Sequence, residues 1–245
     1  MTYLLIHGGG STARFWDRLL PYLGAQSVLA VDLPGRNGKA ADFATLSVDD
    51  EVASVLADVD AAGVDDPIVV VAHSSGGLVV PGVVSGLGER VAHVVLSAAL
   101  VPTEGGLGID CMKPRHREGL VASVEQARRD GIVITLPGAP ADPEPFRRAY
   151  GGDPLDDDTL AFVVDPVRCV PDTVHHYFQP VHWSAVAHVP VTYLLNTRDR
   201  PVPSETQEQM VTHLPGPARV VRLDSGHVPA VTDPEGFARQ LAAAR

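Results

Sequence analysis

Cysteine is nearly absent from this 245-residue chain: Cys111 and Cys169 are the only two. That is too few for a disulfide framework or a thiolate-built structural zinc site. Lysine is as scarce, with Lys39 and Lys113 alone, and no basic run relieves the formal charge of −11. Such a surface repels a polyanionic backbone, so nucleic acid is excluded as an expected partner. Long apolar runs are missing too; none approaches the roughly 20 residues that cross a bilayer, and no membrane partner is expected. Met1-Thr2-Tyr3 leads straight into Leu4-Leu5-Ile6 with no charged leader, which makes a cytoplasmic location the expectation. Aromatics amount to only 5 %, but 45 % apolar and 20 % charged residues make an ordinary globular mixture rather than a disordered or coiled-coil chain.

What is present is an alternation. Short apolar runs end in turns: Tyr3-Leu4-Leu5-Ile6, then Ser27–Val31, Ile68-Val69-Val70-Val71, 91–96, 191–195 and 219–223. Aliphatic runs without polar alternation are the pattern of strands covered on both faces. Helical patterns separate them. Phe15, Trp16, Leu19, Leu20 and Leu23 share one face of a first predicted helix. Val48, Val52, Val55, Leu56 and Val59 share one face of a second, with Ser47 as cap and Asp49, Asp50 and Glu51 suited to its positive end. A third starts at the glycines after Ser74, and a last one follows Asp233-Pro234-Glu235. The sum predicts a single α/β domain, a doubly wound, mostly parallel sheet formed by 1–100 and 189–245.

Residues 101–188 read differently, being rich in Pro, Gly and Asp, with one strand-like run at 131–136. Nearly 90 residues exceed any plain loop, so a mostly helical cap over the sheet is expected. Asp153, Asp156, Asp157 and Asp158 read as a solvated turn and helix start.

The most informative stretch is Ala72-His73-Ser74-Ser75-Gly76-Gly77, where a buried strand turns into a helix. A serine flanked by small residues at i−2 and i+2 is the nucleophile elbow; the turn is too tight for a larger side chain at either flank. Alanine stands here where the first glycine of the usual pattern would be. Ser74 is favoured as nucleophile over Ser75, because the shifted register would put His73 at the small position. His7-Gly8-Gly9-Gly10, after the first strand, is the second signal. Consecutive glycines cost roughly 1 kcal/mol each in chain entropy within regular structure, and close approach of bare backbone to a substrate oxygen is the functional reason for them.

A serine nucleophile needs a base, and the base an orienting acid. His227 follows the last strand run and Asp199 follows the run at 191–195, both at the carboxyl edge that carries Ser74. The order Ser, Asp, His is that of the α/β-hydrolase triad. Asp224 is the competing orienter of His227. His175, His176 and His182 lack a partnered carboxylate spacing and read as polar cap residues, so no metal is expected.

Together, His7-Gly8-Gly9-Gly10, Asp32-Leu33-Pro34-Gly35, the Ser74 elbow, Asp199 with Pro201-Val202-Pro203, and Gly226-His227 resemble an α/β-hydrolase over nearly the whole chain. The early oxyanion loop and the length are most similar to the branch of methylesterases and hydroxynitrile lyases with their bacterial relatives. That resemblance implies a helical cap between the sixth and seventh strands of the fold and oxyanion donors at the N–H groups of Gly9 and Ser75. The lyases carry threonine and lysine where this chain has Gly8 and Val228, so support for cyanide elimination is missing. The expected activity is hydrolysis of a small to medium apolar ester or lactone, without metal or organic cofactor. Thioesterase, perhydrolase or cyclase and lyase chemistry on the same triad is the alternative, and a ligand receptor the alternative of another class. Gly8, Gly10, Trp16, His73, Tyr177 and Trp183 are expected around the substrate, His73 as a residue packed behind the site because neighbours on a tight elbow face opposite ways. Phe146, Tyr150, Phe162 and Phe178 are further cap aromatics. The acidic surface disfavours a strongly anionic substrate unless Arg115, Arg117, Arg128 or Arg147 supplies local positive charge.

Overall fold

The computed structural model describes residues 1–150 and 155–244. Six strands, β1 (Thr2–Ile6), β2 (Ser27–Val31), β3 (Ile68–His73), β4 (Val91–Ser97), β5 (Val191–Asn196) and β6 (Ala218–Leu223), form one sheet in the order β2-β1-β3-β4-β5-β6. Every neighbouring pair is parallel. This is the α/β-hydrolase fold, and each apolar run of the sequence became a strand of it. The two-residue period sends Leu4, Ile6 and Val70 into a core on one face and Tyr3, Leu5, Val69 and Val71 into another on the opposite face. Burying each such aliphatic side chain stabilises by about 1.5–3 kcal/mol. Both layers therefore need helices, and the crossovers supply them.

Helix α1 (Val48–Ala61) begins where the sequence signals it: Ser47 accepts the Asp50 N–H, and the Asp50 carboxylate accepts the Ser47 N–H. The elbow leads first into a 3₁₀ turn, Ser74–Val79, and only then into α2 (Val80–Leu87). The predicted first helix is not α-helical. It consists of two 3₁₀ turns, Ala13–Trp16 and Leu20–Tyr22. Pro21 contributes no N–H to a continuing helix, and Leu20 is exposed while Phe15, Trp16, Leu19 and Leu23 are buried.

Between β4 and β5 lie α3 (Pro114–Asp130), α4 (Glu144–Tyr150) and α5 (Asp157–Val164). Of the strand predicted at 131–136, only Thr135–Leu136 pairs, antiparallel with Asp172–Thr173. Gly131, left-handed at φ 67°, closes α3, and Ile132 and Val133 stay exposed with no strand to join. Asp156 caps α5 by accepting the Thr159 N–H at 2.7 Å, as the aspartate run suggested; Asp153 lies outside the described residues. After β5 come α6 (Ser204–Val211), α7 (Pro229–Thr232) and α8 (Pro234–Ala243), the last capped by Asp233.

Candidate active site

Strand order reverses at β1, which has β2 on one side and β3 on the other. Chains leaving β1 and β3 diverge to opposite faces and open a crevice at the carboxyl edge, where ligands bind in open α/β sheets. Register pairs Ile6 with Ala72. His7-Gly8-Gly9-Gly10 and His73-Ser74-Ser75 therefore leave the sheet side by side.

Ser74 has φ 53°, a left-handed conformation that costs a non-glycine residue on the order of 1–3 kcal/mol. Backbone crowding enforces it. A Cβ on Gly76 would meet the His7 carbonyl oxygen at 2.5 Å, and one on Gly8 would meet Ser74 Cβ at 2.9 Å. Both glycines thus answer to close approach rather than to a positive φ.

His227 Nε2 lies 3.2 Å from Ser74 Oγ, and its Nδ1 lies 2.7 Å from Asp199 Oδ2. The other carboxylate oxygen of Asp199 accepts the Val202 N–H at 2.8 Å, which fixes its rotation. Asp199 and His227 are both buried. Of the two serines, Ser74 meets the histidine; Ser75 is buried and its side chain bonds Tyr177. Asp224 is exposed and turned to Arg198 at 2.8 Å, away from His227.

His73 sits behind this set rather than beside a substrate. It is buried, stacked on Phe15 at 4.8 Å, and 4.7 Å from the His227 ring. Burial, and then the neighbouring His227, pushes its pKa down to about 3. The neutral ring donates from Nε2 to the His227 carbonyl oxygen at 2.8 Å, pinning the backbone at His227. His7 is also held neutral by burial, with Arg36 adding to the effect. It accepts the Leu33 N–H at Nε2 and donates from Nδ1 to Gly8 O.

The glycine loop is gripped from the inserted segment. Asp172 accepts the Gly10 N–H at 2.9 Å and the Thr173 N–H at 2.8 Å, and pairs with Arg36 at 2.5 Å, both side chains being fully buried. Arg36 also donates to the carbonyls of Ser11 and Pro34. Nothing in the sequence pointed to Arg36 or Asp172. Next to them His176, expected to be a polar cap residue, is buried and lies 3.1 Å from Glu51. Burial lowers its pKa, but the Glu51 carboxylate, by charge and hydrogen bond, turns the net shift upward. Donor atoms of Glu51, Asp172 and His176 lie within 4.8 Å of one another. The Arg36 guanidinium already neutralises Asp172 there and would repel a divalent cation. His182, by contrast, is exposed against Glu104.

Two cavities flank Tyr150. The smaller, of about 160 Å³, is lined by Gly9, Gly10, Phe15, Phe146, Phe162 and Val228. The larger, of about 550 Å³, opens on Ser74, Leu100, Met112, Tyr177 and Val202. Tyr150 stands edge-on to His227 at 5.2 Å and stacks on Phe146 at 4.1 Å; burial raises its phenol pKa, keeping it neutral. Of the residues expected around the substrate, Gly10 lines the smaller cavity and Tyr177 the larger, whereas Gly8 is buried against Ser74 and His73; a Cβ on Gly9 would lie 2.9 Å from Tyr177 Oη and 3.0 Å from Ser75 Oγ. The tryptophans line neither cavity. Trp16 and Trp183 are fully buried, one in each core layer, because large rings fill volume between sheet and helices better than any residue nearby. Phe178 packs against the core as well.

Residues 3–240 match the model of the alpha/beta hydrolase family. The chain belongs to this family. Among curated relatives, Lipase LipV of Mycobacterium tuberculosis (strain ATCC 25618 / H37Rv) is 35 % identical over 102 residues, 42 % of this chain and 38 % of that protein. The match thus spans well under two thirds of the lipase's length. Among solved structures, an extracellular alpha/beta-hydrolase from a Paenibacillus species aligns with a TM-score of 0.79 at 20 % identity, covering 100 % of this chain and 98 % of that one. It is described as sharing structural and functional homology with tobacco salicylic acid binding protein 2. The methylesterase protein MES16 from Arabidopsis aligns with a TM-score of 0.73 at 18 % identity, again over 100 % and 98 % of the two chains. These neighbours lie in the esterase branch of the family that the sequence motifs resemble. Among the described residues, no helix of this alpha/beta hydrolase is long and apolar enough to cross a membrane.

Proposed function

We propose that this alpha/beta hydrolase cleaves a carboxylic ester or lactone through an acyl-enzyme on Ser74. The observation that carries the reading is the continuous relay from Ser74 Oγ through His227 to Asp199, at 3.2 and 2.7 Å, ending on a strained serine that faces a cavity. Ser74 Oγ attacks the carbonyl carbon while His227 Nε2 takes its proton. Asp199 holds the imidazole in the required tautomer and stabilises the imidazolium that forms. The N–H groups of Gly9 and Ser75 receive the negative oxygen of the tetrahedral intermediate; one such donor is worth about 10²–10³ in rate. His227 then returns the proton to the leaving alcohol, and water repeats the sequence on the acyl-enzyme. The cavities on either side of Tyr150 divide the two arms of the ester between them. Local likeness to a lipase and fold likeness to a methylesterase support ester chemistry over the other reactions of this triad.

The test is a panel of p-nitrophenyl esters of increasing acyl length, given to the wild type and to Ser74→Ala. Activity and covalent labelling by a serine-directed phosphonate are expected in the wild type and lost in the variant. Labelling that survives the substitution rejects Ser74 as nucleophile.

A further inference from the structure

Four basic side chains, Lys113, His116, Arg148 and Arg200, line the same cavity as Ser74, and no acidic side chain lines it among the described residues. Elsewhere most of the described arginines meet carboxylates, though Arg129 turns to Gln126 and Arg219 to the Ala243 carbonyl. Arg117 pairs with Asp110, Arg147 with Glu144 and Asp157, and Arg168 with Asp17 and Asp165. The cavity's cations do not. Lys113 Nζ donates to the Arg200 carbonyl, and Arg200 Nη1 donates to the Arg148 carbonyl at 2.9 Å. These bonds hold the Lys113 and Arg200 side chains without neutralising them, and none of Lys113, Arg148 and Arg200 has a carboxylate partner among the described residues. In a chain of net charge −11, such a concentration of uncompensated positive charge around one opening is the opposite of the average surface.

Resting on the ester-hydrolase reading, we propose that the substrate carries a carboxylate, held by Lys113, Arg148 and Arg200 while its ester bond lies at Ser74. A cavity of 550 Å³ is about 10 Å across if round, so the carboxylate and the scissile carbonyl are separated by a few carbons. The apolar wall of Leu100, Met112 and Val202 suits that spacer. Guanidinium forks match a carboxylate in shape and charge. Half-esters of dicarboxylic acids, and esters of hydroxy acids, are the substrate class. The arginines this assigns differ from Arg115, Arg117, Arg128 and Arg147, to which the sequence alone pointed.

The test compares matched esters on the full chain. One pair is p-nitrophenyl hexanoate and the p-nitrophenyl half-ester of adipic acid; a second places the carboxylate on the alcohol side, with acid release followed by titration. In one of the pairs kcat/KM is expected to favour the carboxylate about tenfold at low salt, as several screened charges allow. The ratio should collapse to about one in Arg148→Gln/Arg200→Gln and in 0.5 M salt. Binding of adipate, measured by calorimetry, should weaken about tenfold in the same variant. Turnover of neutral and carboxylate esters at equal efficiency, with no adipate bound, overturns the anion site and leaves the esterase reading standing. No turnover of any ester and no phosphonate labelling, with adipate still bound, overturns the esterase reading instead.

Discussion

Two buried histidines in this molecule each bond a buried carboxylate, and only one of them also meets a serine hydroxyl. His227 meets Asp199 at 2.7 Å and His176 meets Glu51 at 3.1 Å. The difference lies at the far nitrogen. Nε2 of His227 reaches Ser74 Oγ at the mouth of a cavity, whereas Nε2 of His176 is buried with no hydrogen-bond partner among the described residues. An imidazole polarised by a carboxylate is therefore only half of a catalytic base. The other half is a hydroxyl held in a strained turn, here enforced by the crowding of Gly8 and Gly76.

The sharpest break of this comparison removes the acid from the first pair. Asp199→Asn should keep the fold and lower kcat by about 10³–10⁴, since the amide favours the wrong histidine tautomer; steady-state kinetics on the preferred ester would show it. A loss below tenfold would mean that His227 does not need its orienter. The same change in the second pair should do something else. Glu51→Gln should leave kcat within a few fold but destabilise the protein by about 1–3 kcal/mol, read from urea unfolding. Because the folded pKa of His176 is raised, the stability its proton contributes is fully present below the unfolded value near 6.5. It is lost as pH rises through the folded value, and Glu51→Gln should abolish that loss.

A third prediction concerns His73 and has the opposite sign. Its folded pKa of about 3 lies below the unfolded value, so between pH 6.5 and 3 the unfolded chain binds a proton that the folded one refuses. Stability therefore falls with acid by up to about 1.4 kcal/mol per pH unit from this group. His73→Gln, which can still donate to the His227 carbonyl, should flatten Tm against pH over that range. An unchanged slope would assign the acid sensitivity to other groups, His7 first.

The sheet was legible because each strand is an unbroken aliphatic run, and a parallel sheet buried on both faces permits little else. Ser74, Asp199 and His227 were legible for a related reason: each follows one of those runs, so topology alone puts them on one edge. The segment between β4 and β5 offered no such frame. Its strands are two residues long, and its aromatics divide between cavity and core by packing that spacing does not encode, as Tyr177 and Trp183 show. The turns at 13–23 misled because the apolar spacing is helical while Pro21 denies the helix its hydrogen bond. Arg36 and Asp172 were invisible because neither has a neighbour in sequence that marks it; only folding brings them together.

The bond from Asp172 to the Gly10 amide, with Arg36 behind it, ties the inserted segment to the glycine loop by buried charge. Substrate range and turnover are then not separable modules in this protein. Exchanging the segment for that of a relative would redraw the pocket and, in the same stroke, cut the mooring of the loop proposed to receive the oxyanion. A grafted segment must bring its own aspartate to be more than a lid.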